Sequence, residues 1–197
     1  LPPNATVMMM GTFPPTSDKW AMSFHYPNFY NDMWRIYGGV FFDDIDYFRV
    51  EDEKRFDPER IRDFMFDRGI ASCPTVKQAI RETGNASDKN LTVVTPVDLD
   101  LILPQVPKVA VLFTTGGKAT EVLLNLLDKP PIKSKYPKTN HSMDYPYHWQ
   151  SRDSRLATNK VNELTLYRLP STSRAYPLAL DKKIAAYKAF FEKIGKL

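Results

Sequence analysis

The chain has 197 residues, of which 43% are hydrophobic and 25% charged, and its formal net charge is +4. These values are typical of one soluble globular domain whose core is large enough to need no stapling disulfide, and no stretch approaches the roughly 18 to 20 apolar residues of a membrane span. The one cysteine, Cys73, excludes an internal disulfide and an iron–sulfur cluster, which predicts a reducing, cytoplasmic location.

The charge is unevenly distributed along the chain. Residues 116–197 hold 15 Lys and Arg against 7 Asp and Glu, whereas residues 1–115 hold 12 against 16. A basic second half suits a polyanionic partner such as a nucleic acid. Chance asymmetry of a solvated surface explains the same numbers equally well.

The first half of the chain predicts one strand and two helices. Residues 5–10 form a short apolar run that reads as a buried strand and ends at Gly11. Residues 12–27 contain three prolines and no periodicity, which predicts a long loop, and residues 28–37 are predicted to be helical. A second helix is predicted over 57–69, because Asp at the N-cap and Pro at the first helical position mark its start.

The second half repeats the order of strand, loop and helix. Residues 109–113 are predicted to form a buried strand that runs into a Gly-Gly turn, and residues 118–127 have helical periodicity. Residues 129–160 read as a long exposed excursion. Residues 164–169 alternate as a third strand, and residues 180–194 form an amphipathic helix. This repetition predicts a layered α/β fold with a mostly parallel sheet.

A ligand site is expected where the strands of such a sheet end. In open α/β sheets the site lies outside the carboxyl ends of the strands. The loops 11–15, 114–117 and 169–174 converge there, and each contains Gly, Pro, Ser or Thr. Small residues let backbone amides approach a phosphate or a base closely.

These loops, in this order, resemble the motifs of the uracil-DNA glycosylase superfamily. Residues 11–15, Gly-Thr-Phe-Pro-Pro, resemble its first Gly-x-x-Pro loop, and residues 24–34 resemble its segment of aromatic residues, Pro, Asn and Trp. Residues 69–70 begin a segment similar to the next block, residues 115–119 resemble a Gly-x-Lys-Ala turn, and residues 169–173 resemble the final motif. The nearest branches are the mismatch-specific uracil-DNA glycosylases and the hypoxanthine-DNA glycosylases.

The resemblance implies a single domain over residues 1–197, a three-layer α/β/α sandwich around a central, mostly parallel four-stranded sheet. It implies a monofunctional DNA glycosylase that flips out a damaged, deaminated base such as uracil or hypoxanthine and hydrolyses its N-glycosidic bond in base excision repair. The expected partner is DNA that contains the damaged base. No cofactor or metal is expected, and a monomer is the default.

The catalytic residues implied by the resemblance depart from the usual pattern. The first motif often carries an Asp or Asn that holds the attacking water, and here that position is Phe13. In the hypoxanthine-type branch an Asn before the motif's Trp is catalytic, and Asn31 matches it. Asp32 is the reserve candidate, because a carboxylate could act as a base or stabilise the cation. A helix-start or surface role for Asn31 is the alternative.

The base-binding positions are also substituted. Phe24 occupies the position that stacks the base, with core packing as its alternative. Thr115 stands where Asn often reads the base, and Leu169 stands where His often stabilises the leaving base. More of that stabilisation must then come from backbone amides of the first loop. The predicted base-binding residues are Gly11, Thr12, Phe13, Phe24 and Thr115.

Phosphate contacts are expected from small and basic residues of the second and third loops. The predicted DNA-binding residues are Gly116, Lys118, Ser171, Thr172, Ser173 and Arg174. Arg174 could fill the space left by the flipped base with its planar guanidinium, Tyr176 could serve instead, and a plain surface charge is the alternative.

Two other functions remain open at this stage. The substitutions at Phe13, Thr115 and Leu169 also fit a catalytically weak or inactive DNA-binding relative. The same loops could serve a small nucleotide or nucleoside hydrolase, which would show no DNA binding and no steep salt dependence.

Overall fold

The secondary structure alternates between strands and helices along most of the chain. A computed structural model describes residues 1–82, 88–148 and 163–197. The strands are β1 (Val7–Met10), β2 (Ile70–Ser72), β3 (Val76–Arg81), β4 (Leu91–Pro96), β5 (Val111–Thr115), β6 (His141–Tyr145) and β7 (Leu164–Leu169). The helices are α1 (Met33–Phe42), α2 (Pro58–Arg68), α3 (Leu99–Ile102), α4 (Gly117–Leu124) and α5 (Leu180–Lys193).

The central sheet has the strand order β2-β1-β5-β7-β6. The first four strands are parallel, which confirms the predicted mostly parallel sheet, and β6 adds a fifth, antiparallel strand at the edge. That strand lies within 129–160, which was wrongly expected to be only an exposed excursion. Its first four residues are not buried, because an edge strand exposes much of its surface. The apolar pattern that would indicate a strand is therefore absent from this segment. The stretch 149–160 of the same prediction lies outside the described residues.

Two hydrophobic cores lie on opposite faces of the sheet. Side chains alternate across a strand, so Val7 and Met9 of β1 pack in one core while Met8 and Met10 pack in the other. The first core includes residues of α1, α2 and α5, and the second includes residues of α3 and α4. Helices therefore cover both faces, which confirms the three-layer α/β/α sandwich.

The helix boundaries follow the local capping residues. The Asp57 side chain accepts the amides of Glu59 and Arg60, and Gly69 ends α2 in a left-handed conformation, as the sequence predicted. The helix predicted over 28–37 begins five residues late, at Met33. Side-chain oxygens capture backbone amides in the preceding turns and delay the helix.

No sequence pattern indicated the antiparallel hairpin of β3 and β4. The hairpin stands apart from the central sheet and exposes large apolar side chains, including Ile80 and Val94. Its first residues bond to the loop after β1: the amide of Thr75 donates to the carbonyl of Gly11 (2.7 Å), and that of Val76 to Thr12 (3.1 Å). The hairpin therefore supports the first loop of the predicted site.

Candidate active site

A cavity of about 640 Å³ opens at the carboxyl edge of the sheet. Its walls come from the long connection between β1 and α1, from residues at or after the ends of β2, β5 and β7, and from the turn before β4. Strands β1 and β5 are neighbours, and the chain leaves them toward opposite faces of the sheet. Ligand sites in such folds form at the carboxyl ends of two strands arranged in this way. The volume is within the range of roughly 300 to 1,000 Å³ that holds small ligands.

Most of the residues predicted for the site meet in this cavity. Among the described residues, Asp32, Gly116 and Lys118 do not line it. The predicted residues that do are Gly11, Thr12, Phe13, Phe24, Asn31, Thr115, Ser171, Thr172, Ser173 and Arg174. Loops far apart in sequence are thus brought together as the resemblance implies.

Gly11 and Tyr26 form the deep part of the cavity with the end of β5. The Tyr26 hydroxyl lies 3.1 Å from Thr115 Oγ1, so the predicted base-reading hydroxyl already has a protein partner. A Cβ at Gly11 would collide with the Tyr26 hydroxyl, which explains the glycine. Tyr26 has φ 51°, a conformation that costs a bulky residue on the order of 1–3 kcal/mol and that marks functional sites. Burial raises the pKa of Tyr26, so its hydroxyl stays protonated.

Phe24 and His25 form an aromatic wall of the cavity. Phe24 is half-buried, and its ring meets that of His25 edge to face with centroids 5.0 Å apart. The indole Nε1 of Trp34 donates to the His25 carbonyl (3.0 Å), which fixes this part of the loop. Burial lowers the pKa of His25, which favours the neutral ring at neutral pH. His25 can therefore donate one hydrogen bond and accept another.

Asn31 lines the cavity and also begins α1. Its Oδ1 accepts the amide of Met33 (2.9 Å), so the helix-start role is present. One Oδ1 lone pair and both Nδ2 hydrogens are not used by that bond. The cap fixes the orientation of an amide that borders the cavity, and the catalytic role predicted for Asn31 stays a prediction.

Asp32 is not positioned like a catalytic base. It is buried, and its carboxylate forms ion pairs with Lys183 (3.1 Å) and Arg174 (3.2 Å). Its amide also donates to the carbonyl of Thr172 (2.9 Å). The reserve role given to Asp32 therefore gives way to a structural one. Lys183 was missed from the sequence, because α5 reads as an ordinary amphipathic helix with several exposed lysines.

Hydrogen bonds between residues close in sequence shape the loop after β7. The amide of Ser173 donates to Ser171 Oγ and that of Ala175 to Ser173 Oγ, each at 3.2 Å. Each serine hydroxyl keeps its hydrogen for an outside acceptor, as phosphate contact requires. The hydroxyl of the buried Tyr187 donates to the carbonyl of Pro170 (2.8 Å) and anchors the start of this loop.

The cavity mouth carries two exposed aromatic side chains. Tyr30 is 52% exposed and Trp20 is 44% exposed. The Arg174 guanidinium lies 5.3 Å from the centroid of the Tyr30 ring, while its Nε contacts Asp32. Arg174 is therefore held in place at the mouth, and it is not a freely moving surface charge.

The two predicted residues at the start of α4 lie beside the cavity. Gly116 has φ 131° and packs against Ser171, so it joins the second loop to the third. Lys118 forms a weak ion pair with Glu121 at 3.9 Å. Both remain candidates for phosphate contact outside the cavity itself.

Asp88 is a cavity residue that the sequence did not indicate. It precedes β4 in a short 3-10 turn, in a hairpin that matched none of the motifs. Burial raises the pKa of its carboxyl, while a hydrogen bond from Thr12 and the charges of Arg81 and Lys118 act in the opposite direction.

No helix in the described part of the chain is long and apolar enough to cross a membrane. Within the same residues, no three His, Cys, Asp or Glu side chains come together as a metal site would require.

Comparison with known proteins bears on the fold. No protein-family model matches the sequence, and no curated protein matches it either. Among solved structures, the solution NMR structure of a putative uracil DNA glycosylase from Methanosarcina acetivorans matches with a TM-score of 0.60 and 17% sequence identity. The match covers 99% of this chain and 94% of that chain. The two proteins therefore share a fold over nearly their whole length.

Proposed function

We propose that this chain, which shares its fold with that glycosylase, is itself a monofunctional DNA glycosylase. It flips a deaminated base such as uracil or hypoxanthine out of DNA and hydrolyses the N-glycosidic bond. The observation that carries the proposal is the cavity at the carboxyl edge of β1 and β5, in which ten of the residues predicted from the glycosylase motifs meet. The basic second half of the chain supports DNA as the partner.

Base capture requires an aromatic surface and a cavity of the right size. A flipped nucleotide loses its stacking partners, so the enzyme must replace them. Phe24 is half-buried in the cavity wall and is assigned the stacking role. Stacking on an aromatic ring contributes roughly 1–3 kcal/mol per base.

Bond cleavage needs fixed dipoles around the leaving base. As the C1′–N bond breaks, its electron pair moves to the base and positive charge develops on the sugar. The small residues of the first loop let backbone groups approach the base, and the hairpin holds this loop through the carbonyls of Gly11 and Thr12. The neutral ring of His25 is a further donor beside Phe24.

Asn31 is assigned the role of holding the attacking water molecule. The Met33 amide fixes its side chain, and the remaining lone pair and Nδ2 hydrogens can hold a water molecule. The water oxygen bonds to C1′, the base leaves with the electrons of the broken bond, and the water proton passes to the base or to solvent. The product is a free base and an abasic site.

The loop after β7 is assigned the role of binding the sugar–phosphate backbone. The hydroxyls of Ser171 and Ser173 can donate to phosphate oxygens on either side of the flipped nucleotide. Arg174 and Tyr30 stand at the mouth, where they can fill the stack that the base has left.

Strand cleavage is not part of the proposed reaction. It would require an amine that forms a Schiff base with the sugar. Among the described residues that line the cavity there is no lysine. Lys118 lies outside it beside Glu121, and Lys183 is held in its buried pair.

Base release from damaged oligonucleotides tests the proposal. We expect the wild type to release uracil or hypoxanthine, and Asn31→Ala to release it at least about a hundredfold more slowly, as loss of a water-positioning group would do. Asn125→Ala, an exposed asparagine at the end of α4, is the matched control and should retain the wild-type rate. Binding without abasic product would instead indicate an inactive DNA-binding relative. Activity on free nucleotides, without DNA binding, would indicate a nucleotide hydrolase.

A further inference from the structure

Asp88 is the one carboxylic acid among the described residues that line the cavity. It belongs to the turn Asp88–Asn90 before β4, outside the glycosylase motifs, and the proposed reaction gives it no role. Withdrawing a carboxylate from water costs solvation free energy, and hydrogen bonds or ion pairs must compensate for this cost.

The neighbours of Asp88 come from the first loop and from the cavity wall. The Thr12 hydroxyl donates to its carboxyl, and its negative charge is felt by the Tyr26 hydroxyl. Tyr26 in turn bonds to Thr115 at the end of β5. The cations Arg81 and Lys118 partly offset the negative charge. Asp88 therefore lines the same cavity as the Tyr26–Thr115 hydroxyl pair, and it contacts the first loop through Thr12.

The hydroxyl pair and the carboxyl offer complementary hydrogen-bonding groups. Two hydroxyls carry two hydrogens, and the bond between Tyr26 and Thr115 uses one of them, which leaves one to donate. The carboxyl of Asp88 keeps acceptor lone pairs that its bond from Thr12 does not use. The cavity lining thus presents both a donor and an acceptor, which a single amide side chain would otherwise supply.

We propose that Asp88 is a specificity-determining residue, whose carboxyl accepts a hydrogen bond from an N–H group of the captured base while the Tyr26–Thr115 pair donates to the adjacent carbonyl oxygen. The substrate class is a base with an N–H beside a C=O, as in uracil and hypoxanthine. The inference rests on the proposed function in that the ligand is a base in DNA.

The same geometry excludes bases that have lost this N–H group. In 3-methyluracil a methyl group replaces the hydrogen, and in 3,N4-ethenocytosine N3 belongs to a fused ring and carries no hydrogen. Either base would bury the carboxyl of Asp88 against carbon without a donor. A site built to hydrogen-bond a substrate group rejects the analogue that lacks it, because its own polar group is left unpaired.

Discrimination between uracil and 3-methyluracil tests this role. The probes are oligonucleotides that contain 2′-fluoro-2′-deoxyuridine or its 3-methyl derivative, whose glycosidic bonds resist cleavage, with binding measured by fluorescence anisotropy. We expect the wild type to bind the uracil probe at least about tenfold more tightly, a ratio that Asp88→Ala reduces to near one. Asp88→Asn, whose amide oxygen still accepts, should keep the preference. Asp144→Ala, which removes an exposed carboxylate from β6, is the control.

A supporting role for Asp88 in the hairpin would give a different result. If Asp88 only supported the hairpin, Asp88→Ala would weaken binding of both probes equally. An unchanged ratio of the two affinities in Asp88→Ala would therefore overturn the inference. A wild type that binds the two probes equally would overturn it as well, even where the alanine variant does not fold. Because the probes are not cleaved, a selective wild type that releases no base from ordinary substrates would refute the proposed reaction and leave the role of Asp88 supported.

Discussion

The ammonium of Lys183 lies 3.1 Å from Asp32 Oδ2 and 2.8 Å from the carbonyl oxygen of Ser173, and the lysine side chain is 1% exposed. This contact joins α5 to the start of α1 and to the loop that we assign to phosphate binding. Arg174 contacts the other oxygen of the same carboxylate. One buried acid thus connects α5 to the start of α1 and to the loop after β7, and the last two segments border the cavity.

Lys183→Met should destabilise the protein by about 3 kcal/mol, because it leaves the buried Asp32 carboxylate with only its partly exposed arginine partner. Urea denaturation measures this change. Lys182→Met, at the neighbouring exposed lysine, should change the free energy of unfolding by less than about 0.5 kcal/mol. Equal effects of the two substitutions would show that the buried pair does not stabilise the fold.

Gly11→Ala should lower the free energy of unfolding by about 1–3 kcal/mol, since the new methyl group collides with the Tyr26 hydroxyl. The double variant Gly11→Ala/Tyr26→Phe should recover part of the loss, because the colliding oxygen is gone. Thermal melting of the two variants and of Tyr26→Phe alone gives the comparison. Additive losses in the double variant would contradict the proposed collision.

Tyr30→Ala should weaken binding to DNA about tenfold at constant salt while leaving stability nearly unchanged, because an exposed ring at the cavity mouth stacks on a base. The dependence of affinity on salt should stay the same in Tyr30→Ala, because a neutral ring releases no counterions from the DNA. Phe66→Ala, at an exposed ring on α2, is the control for binding. A loss of affinity for Phe66→Ala equal to that for Tyr30→Ala would argue against a specific stacking role.

His25 should make the protein less stable in mild acid. Burial lowers its pKa in the folded state, so below the unfolded value of about 6.5 the unfolded chain binds more protons. Its contribution to stability is complete above that pH and falls as the pH drops toward the folded pKa. Unfolding free energies measured across this window should fall less steeply for His25→Gln than for the wild type. His141→Gln, at an exposed histidine, should behave like the wild type.

The sequence was informative about β1, β5 and β7 of the central sheet, because these strands are short, largely buried and followed by Gly or Pro. The strand before Gly11 and the helix between Asp57 and Gly69 could be predicted from apolar runs and capping residues. The hairpin of β3 and β4 could not, because it exposes much of one face and nine residues, 82–90, separate its strands in the sequence. Strand β6 was missed for a related reason, since an edge strand need not be apolar.

The loops predicted for the site converge on one cavity, whereas several side chains of that cavity were not predicted. Motif positions such as Thr115 and Ser171 reach the cavity because they follow the parallel strands. Contacts across long sequence distances were not foreseeable from the motifs, and these include the Tyr26–Thr115 bond, the buried Lys183 and the carboxyl of Asp88. The partners of each polar group are set by the packing of α5 and the hairpin, which no local pattern encodes.

The most direct test of the central claim is the product formed from a labelled oligonucleotide with a single uracil or hypoxanthine, incubated with excess wild-type protein. The proposed function predicts free base and an intact strand with an abasic site, which breaks only after alkali treatment. No free base from either oligonucleotide, in single-stranded or duplex form, would contradict it.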